Sequence, residues 1–394
     1  MRVCVISPGV VHAVPRTVAI ADQFDEVHFI DIEGNSDSRP LLAHGVVYHS
    51  SDREGKSLNR GRVLQHLLGT IRPDVIVCHY ASGDHYFNAI GYGQCPVASI
   101  VMGNDAFYDE GDMVVPFLAK LLVRMSLRRS YYLSAKSELL AQCLKRYGVT
   151  APIDVNYWGA DMTRFSPGHR LEARRQLGLD EKAILILSSR ALEPRLNIHL
   201  IVEAFPEILQ SYSNASLIIL GRSSPDYKRQ VEDTVSRLNL ADRISFRGDV
   251  SQDALLQYYQ ASDCVVSVAQ CEGFPNTVLE VMACKVPVVV GNIPHIDELL
   301  ENNRNAWICE KNPQAIATAI LAVLGDATNR AAIVDAAYAT AMKFADIKKN
   351  GIRFSYRLKQ SLTNIQPASR VAQLVFKAIF LLYRIQRKIT HYSR

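Results

Sequence analysis

The fold class that the sequence predicts is α/β, with two doubly wound domains. Short apolar runs rich in Val and Ile alternate with longer helix-like segments along most of the 394 residues. Most of these runs are continuous, which is typical of parallel strands covered by helices on both faces. Strand, helix and strand in repetition therefore indicate a doubly wound architecture. At about 150 residues per domain, the length favours two domains.

The candidate strands form two series. They lie at Val3–Ile6, Val27–Ile30, Asp74–Cys78, Val97–Val101, Ile153–Tyr157, Ile184–Ser188, Leu217–Leu220, Cys264–Val268 and Pro287–Val290. Between the two series, residues 158–168 are punctuated by Gly, Asp and Pro. We therefore expect a first domain at 1–165 and a second at 166–340. Ligands of open α/β sheets bind beyond the carboxyl ends of the strands, so two facing domains would hold the site in their cleft.

Composition and charge exclude several classes of protein. Apolar residues make up 48% and charged residues 21% of the chain, which excludes an intrinsically disordered protein and a collagen-like fibre. The net charge of +5 is unevenly placed, because residues 347–394 carry eleven Lys and Arg and no acidic residue. The preceding 346 residues therefore carry −6. A basic end on an acidic body favours an anionic partner, either a membrane or a nucleic acid.

Motifs that the sequence lacks exclude several kinds of cofactor and metal site, and they also indicate the cellular compartment. No G-x-G-x-x-G follows the first strand, and there is no P-loop and no HExxH or other metal-ligand spacing, so we expect neither a cofactor nor a metal. The eight cysteines form no CxxC pair and several lie in apolar runs, which favours reduced thiols. The chain has no signal-peptide pattern and no run of eighteen apolar residues. We therefore expect a cytoplasmic protein.

The segment at 271–290 is the most informative about chemistry. After a candidate strand it runs through a loop with Gly and Pro into a helix. Asn276 or Thr277 could cap this helix, and the unpaired N–H groups of its first turn would bind phosphate. Glu272 in the loop could reach a sugar hydroxyl, and Glu280 inside the helix could accept hydrogen bonds from a ribose diol. The spacing alone is explained equally well if Glu272 is an ordinary loop carboxylate and Glu280 only complements the helix dipole.

These residues carry a family resemblance. The Glu272 and Glu280 pair, within E-G-F-P-N-T-V-L-E, resembles the donor-sugar signature of the retaining glycosyltransferase family 4, whose GT-B fold has two facing Rossmann-like domains. Three further segments resemble that family in the same order: N-Y-W-G-A-D-M-T-R-F-S-P from Asn156, S-R-A-L-E-P-R from Ser189 and R-I-S-F-R-G from Arg243. The resemblance covers most of the chain. It implies an acceptor on the first domain and a nucleotide-sugar on the second.

The resemblance also implies a donor-binding set. Arg190 and Arg195 match the basic pair that grips the donor diphosphate, where two cations would stabilise the charge that develops as the glycosidic bond breaks. A surface arginine pair in ordinary salt bridges is the alternative. The other matching positions are Arg247, Gly248, Gly273, Phe274, Pro275, Asn276, Thr277 and Glu280. Of the paired glycines that the family often has after the first strand, only Gly9 is present to contact phosphate.

Three side chains are candidates for catalysis. Members of the family retain the anomeric configuration by front-face transfer, so Glu272 would position the sugar or stabilise developing positive charge. Asp105, in a turn that resembles the family's G-x-D, could orient or deprotonate an acceptor hydroxyl, although an Asx turn explains it as well. His79, at the carboxyl end of a candidate strand, would face the same cleft. The arginines and the helix end would neutralise the diphosphate without a metal.

The end of the chain is predicted to be a basic amphipathic helix. Apolar residues spaced three and four apart from Val371 to Ile389 share one face, and Lys and Arg line the opposite stripe. This is the pattern of an interfacial membrane helix. We expect a crossover helix at 341–366 that returns to the first domain and a tail at 367–394 that binds an anionic membrane surface. Packing of the tail on the protein body is the alternative, and a nucleic-acid partner is not expected because no reading motif is present.

Taken together, these patterns predict a metal-independent, retaining hexosyl- or N-acetylhexosaminyltransferase. It would take a nucleotide-sugar, a UDP-sugar before others, and serve a glycan or lipid-linked acceptor in cell-surface polysaccharide biosynthesis. Its place would be the inner face of the membrane. The alternative is an inactive GT-B-like scaffold in a glycan assembly complex.

Overall fold

Strands and covering helices alternate along the chain. The computed structural model of the protein describes residues 1–9, 12–50, 60–103, 105–106, 117–364 and 370–392. The strands are β1 (Arg2–Ser7), β2 (Glu26–Asp31), β3 (Val47–Ser50), β4 (Val75–His79), β5 (Val97–Val101), β6 (Tyr132–Ala135), β7 (Ile153–Val155), β8 (Ile184–Ser188), β9 (Ala215–Leu220), β10 (Ile244–Gly248), β11 (Cys264–Ser267), β12 (Val288–Gly291) and β13 (Trp307–Cys309). The helices are α1 (Ala13–Ala21), α2 (Arg39–Ala43), α3 (Arg60–Ile71), α4 (Asp84–Tyr92), α5 (Phe117–Arg129), α6 (Glu138–Arg146), α7 (Arg170–Gln176), α8 (Ile198–Ser211), α9 (Pro225–Arg237), α10 (Gln252–Ala261), α11 (Asn276–Ala283), α12 (Pro313–Gly325), α13 (Ala327–Phe344), α14 (Ile347–Ser361) and α15 (Arg370–Tyr392).

The strands form two parallel sheets with the same internal order. The first sheet runs β3-β2-β1-β4-β5-β6-β7 and the second runs β10-β9-β8-β11-β12-β13. Each sheet starts near its centre, grows to one side and then to the other, which is the Rossmann-like doubly wound order. The predicted fold class of two such domains is therefore confirmed. The order reverses between β1 and β4 in the first sheet and between β8 and β11 in the second, and these reversals mark where ligands bind in such sheets.

The chain divides into two compact units. Unit 1 comprises Met1–Trp158 and Ile347–Arg394, and unit 2 comprises Gly159–Asp346. The chain thus leaves unit 1 inside the N-Y-W-G-A-D motif, seven residues before the boundary expected from the sequence. The segment expected as one crossover helix at 341–366 contains the end of α13, which belongs to unit 2, and α14, which belongs to unit 1.

Packing around Trp158 explains the position of this boundary. The indole is fully buried, donates from Nε1 to Ser134 Oγ at 3.2 Å and lies 5.1 Å from the ring of Phe354 in α14. The next residue, Gly159, allows no side chain, because a Cβ there would lie 1.9 Å from the Ala345 carbonyl oxygen. The backbone of unit 2 therefore begins directly after a side chain that belongs to the core of unit 1.

Strands buried on both faces account for the continuous apolar runs. Val3, Val5 and Val77 are fully buried in the first sheet, and Ile186 and Val266 in the second. Each such side chain contributes about 1.5–3 kcal/mol on burial. All nine candidate strands are present, and β3, β6, β10 and β13 are additional. No disulfide joins the eight cysteines, all of which lie among the described residues.

One side of the basic tail packs on unit 1. Phe376 and Phe380 of α15 are buried, and the Phe380 ring meets the Phe87 ring edge-on, with 5.6 Å between the centroids. The packing that the sequence left as an alternative is therefore present along this side of the helix. Residues 367–369 and 393–394 of the predicted tail lie outside the described residues.

Within the described part of the chain, no single helix has the length and apolar composition needed to cross a membrane, whereas α12 and α13, bent by 102° at their junction, pass that test only as a pair.

Helix α14 approaches α1 at a glycine. A Cβ on Gly351 would lie 2.6 Å from the Ala19 carbonyl oxygen, which is a contact with backbone that cannot move aside. Gly69 of α3 is also helical, but a Cβ there would meet nothing within 4 Å. The two glycines thus differ in surroundings and not in local conformation.

We predict opposite effects of alanine at these two positions. Gly351→Ala should lower the free energy of unfolding by about 1–3 kcal/mol, because it overpacks the contact between α14 and α1. Gly69→Ala should raise it by about 0.5–1 kcal/mol through helix propensity alone. Urea unfolding followed by circular dichroism measures both, and a Gly351→Ala variant as stable as Gly69→Ala would contradict the close approach.

Candidate functional site

Charged side chains converge where the strand order of unit 2 reverses. Arg190 follows β8, and its Nη2 donates to both carboxylate oxygens of Glu272, one of them at 3.0 Å, in the loop after β11. Its Nη1 donates to Thr277 Oγ1 at 3.1 Å in the first turn of α11. The side chains of Arg190 and Glu272 are each 12% exposed. The ion pair is therefore largely shielded from water.

The first turn of α11 begins beside the Arg190 guanidinium. The residue that precedes the helix is Pro275, whose side chain makes no capping hydrogen bond. The capping expected from Asn276 or Thr277 is absent because both residues already belong to the helix and the Thr277 hydroxyl accepts from Arg190. The first N–H groups of a helix have no partner within it and carry a partial positive charge. A guanidinium and a helix N-terminus thus meet at one place, which suits a phosphate.

Glu280 is held from the side by a tyrosine. Its carboxylate is 8% exposed, and Oε2 accepts from the Tyr259 hydroxyl at 3.0 Å. The same hydroxyl lies 3.1 Å from Ser189 Oγ, next to Arg190. Burial, and then the charge of Glu280, raise the pKa of Tyr259 well above its usual value, so the tyrosine stays a donor. No sequence pattern indicates this role, since Tyr259 resembles any core residue of α10.

Arg195 belongs to a different ion pair. Its Nε donates to Glu193 Oε2 at 2.9 Å, and Arg222 approaches the other oxygen of Glu193 at 4.0 Å. The Arg195 side chain is 41% exposed. Arg195 therefore makes a surface salt bridge, the alternative given in the sequence analysis, whereas Arg190 pairs with Glu272.

The remaining candidates of unit 2 lie in loops and at a strand end. Gly273, Phe274 and Pro275 are buried in the loop that leads into α11. Arg247 and Gly248 end the edge strand β10, where a register shift between Phe246 and Gly248 leaves Arg247 exposed. The Gly248 carbonyl accepts from the Gly221 N–H at 2.7 Å.

In unit 1, Asp105 anchors loops. The residue is fully buried, and its carboxylate accepts from the backbone N–H groups of Ala81 at 2.6 Å, Met102 at 2.9 Å and Gly103 at 2.8 Å. Burial raises the pKa of Asp105, while the backbone N–H groups act in the opposite direction. The geometry favours the turn-forming role that the sequence left open. Asn104 of this turn lies outside the described residues.

His79 and Gly9 lie at the ends of the two central strands of the first sheet. His79, the last residue of β4, is 2% exposed. Burial first and the charge of Arg16 second lower its pKa well below the usual value, so the ring is neutral at pH 7. Gly9 has φ +77°, and a Cβ there would lie 2.5 Å from Asn35 Oδ1. The positive φ alone already favours glycine at this position. Among the described residues, no group of three or more His, Cys, Asp or Glu is arranged to hold a metal ion.

The site of unit 2 falls within a recognised family. Residues 169–340 match the family described as Glycosyl transferases group 1. This part of the chain is therefore similar to a glycosyl transferases group 1 domain. Arg190, Glu272 and α11 all lie within the matched residues.

Two relatives and a solved structure extend the likeness. The "Uncharacterized glycosyltransferase MJ1607" of Methanocaldococcus jannaschii is 32% identical over 173 residues, which cover 44% of this chain and 43% of that protein. A D-inositol 3-phosphate glycosyltransferase of Rhodococcus jostii is 27% identical over 228 residues, 55% of this chain and 50% of that protein. The chain thus spans about half the length of these relatives.

The solved structure is Anabaena Alr3699/HepE in complex with UDP-glucose. It matches with a TM-score of 0.75 and 19% identity, covering 91% of this chain and 100% of that chain. At such identity the likeness shows the fold alone, and it supports the GT-B class expected from the sequence.

Proposed function

We propose that the protein is a retaining glycosyltransferase that moves a hexosyl or N-acetylhexosaminyl group from a UDP-sugar to a glycan or lipid-linked acceptor in cell-surface polysaccharide biosynthesis. The observation that carries the proposal is the convergence of Arg190, Glu272 and the first turn of α11 within the residues that match the group 1 family. The relatives named as glycosyltransferases support transfer of a sugar, and the complex of HepE with UDP-glucose supports UDP as the first nucleotide to test.

Donor binding would exchange the partner of Arg190. In the structure the guanidinium is held by Glu272. A diphosphate at the first turn of α11 offers the guanidinium a partner with more charge and a matching bidentate geometry. The exchange would release the Glu272 carboxylate beside the phosphates, where the sugar of the donor must lie. Arrival of the donor would therefore make the carboxylate available to a sugar hydroxyl or to the developing positive charge.

Glu280 would hold the other end of the donor. A ribose offers two neighbouring hydroxyl donors, and the Glu280 carboxylate accepts hydrogen bonds while Tyr259 fixes its orientation. With Arg190 and the helix end at the diphosphate, and with Arg195 turned there from Glu193, the leaving group would be neutralised without a metal. A single donor aimed at charge that develops in the transition state is worth about 2.7–4 kcal/mol, or 10²–10³ in rate. Transfer on the face from which the leaving phosphate departs needs no separate base.

Selective binding of a uracil nucleotide tests the proposed function. Calorimetric titration without metal should show that UDP binds and that GDP and ADP bind at least tenfold more weakly. Arg190→Ala and Glu280→Ala should each weaken UDP binding by about 10–100-fold, since each removes a charged hydrogen-bonding partner. Arg229→Ala, an exposed arginine of α9, is the matched control and should bind as the wild type does.

Two results would contradict this account. A folded protein that binds none of the three nucleotides would favour the inactive scaffold. Equal weakening by Arg190→Ala and Arg229→Ala would mean that general surface charge, and not the site, attracts the nucleotide.

We further propose that α15 attaches the protein to the inner face of the membrane. The side of this helix opposite Phe376 and Phe380 carries an apolar stripe, in which Val371 is 70%, Leu374 68% and Leu382 55% exposed. The exposed side chains of the stripe are Val371, Leu374, Val375, Leu381, Leu382 and Ile385. Exposed cationic side chains, Lys377 and Arg384, flank it. An outward apolar stripe beside cations is complementary to an anionic lipid surface.

Vesicle sedimentation tests the stripe. The wild type should pellet with phosphatidylglycerol vesicles, and Leu374→Glu with Leu382→Glu should reduce the bound fraction at least tenfold, because burying each leucine contributes about 1.5–3 kcal/mol. Both positions lie away from the packed aromatic side, so folding should be unaffected. Leu171→Glu, at a leucine of α7 that is 44% exposed, is the matched control. Binding that the double variant leaves unchanged would contradict the assignment.

A further inference from the structure

Unit 1 contains a buried arginine that the proposed function does not use. Arg16, in the first turns of α1, is 1% exposed. Its Nη1 lies 2.7 Å from Met102 Sδ, and its guanidinium carbon lies 5.4 Å from the centroid of the Trp158 ring. Its Nε and Nη2 are buried without a hydrogen-bond partner in the described structure. A buried donor without a partner costs several kcal/mol when it carries charge.

Among the described residues, Arg174 is a second fully buried arginine, and its contacts show how the fold satisfies a guanidinium whose role is structural. Arg174 is also 1% exposed. Its Nε donates to the Ala261 carbonyl at 2.9 Å, its Nη1 to the Ala183 carbonyl at 2.7 Å, and its Nη2 to Asp263 Oδ2 at 2.6 Å. Every nitrogen of Arg174 thus has an oxygen partner, whereas Arg16 has a thioether and a ring face.

Among the described residues, Arg16 has no carboxylate as a hydrogen-bond partner. The nearby Asp105 raises the pKa of Arg16, but burial outweighs it and lowers the pKa to about 9, so the guanidinium is charged at pH 7. The Asp105 oxygens already accept from backbone N–H groups. His79 is neutral, and its Nδ1 is buried without a hydrogen-bond partner among the described residues.

These groups come from neighbouring strand ends. Arg16 follows β1, His79 ends β4, and Met102 follows β5 directly. The strand order of the first sheet reverses between β1 and β4, and open α/β sheets bind their ligands at such a reversal. Two unpartnered buried polar groups, Arg16 and His79, therefore lie where a ligand of unit 1 is expected.

We propose that Arg16 is the anion-binding residue of a ligand site on unit 1, and that the ligand presents an oxyanion, a phosphate or a carboxylate, to Arg16 Nε and Nη2. A guanidinium offers these two nitrogens as a planar fork that matches both groups. This ligand site does not depend on the donor site of unit 2. If the proposed function is correct, the ligand is the acceptor of the transferred sugar, and that acceptor is an anionic molecule.

The Nε–H resonance of Arg16 tests the site directly. In ¹⁵N-labelled full-length protein this resonance is assigned by its loss in Arg16→Met. Inorganic phosphate or acetate should shift it saturably, while the Arg174 Nε–H resonance, bonded to the Ala261 carbonyl, stays in place as an internal control. The better of the two anions identifies the group. Glycerol 1-phosphate and phosphatidylglycerol vesicles then distinguish a soluble ligand from a lipid headgroup.

Thermal unfolding provides a second readout that does not need assignment. Phosphate or acetate should raise the unfolding temperature of Arg190→Ala, in which the anion site of unit 2 is weakened, and should have at most a tenth of that effect when Arg16→Met is added to it. Arg16→Met should fold, because an apolar side chain of similar length replaces a buried charge without a partner. If phosphate raises the unfolding temperature of the double variant as far as that of Arg190→Ala, the anion acts elsewhere than at Arg16. That result, or an Arg16 resonance that neither anion shifts, would overturn the proposal.

Discussion

The ion pair between Arg190 and Glu272 is the contact on which the candidate site depends. It joins the loop after β8 to the loop after β11, the two strands between which the order of the second sheet reverses. Each side chain is 12% exposed, and a charge so shielded requires a partner. The N–H of Gln270 donates to the Arg195 carbonyl at 2.7 Å and ties the same loops together. An anion that enters must therefore compete with Glu272 for the guanidinium.

The two units share a topology and differ in how they balance charge at the strand ends. Unit 2 pairs its cation with a carboxylate beside the first turn of α11. In unit 1 the nearby carboxylate, Asp105, accepts from backbone N–H groups, and among the described residues Arg16 contacts a sulfur atom and a ring. At the reversal of strand order, the described residues thus give the cation of unit 2 a carboxylate partner and the cation of unit 1 none. Under the proposed function, both would receive anionic ligands.

Much of the fold could be predicted because fully buried parallel strands produce continuous apolar runs. Strands β3, β10 and β13 could not, since each lies at a sheet edge, where side chains are only partly buried and no continuous apolar run is needed. Strand β6, next to the edge strand β7, could not be predicted because Ser134 interrupts its apolar run; the Ser134 hydroxyl accepts from Trp158 Nε1. In the site, Glu272 was predictable from spacing and resemblance. Tyr259 and Arg16 were not, because their roles arise only when distant loops pack together.

The central claim is that the donor displaces Glu272 from Arg190, and UDP affinity in Glu272→Gln measures this most directly. Glutamine keeps the shape of the side chain but removes the charge that competes for the guanidinium. Calorimetric titration should therefore give UDP binding at least threefold tighter in Glu272→Gln than in the wild type, and no such gain when Arg190→Ala is also present. Weaker binding in Glu272→Gln, or a gain that survives Arg190→Ala, would contradict the exchange.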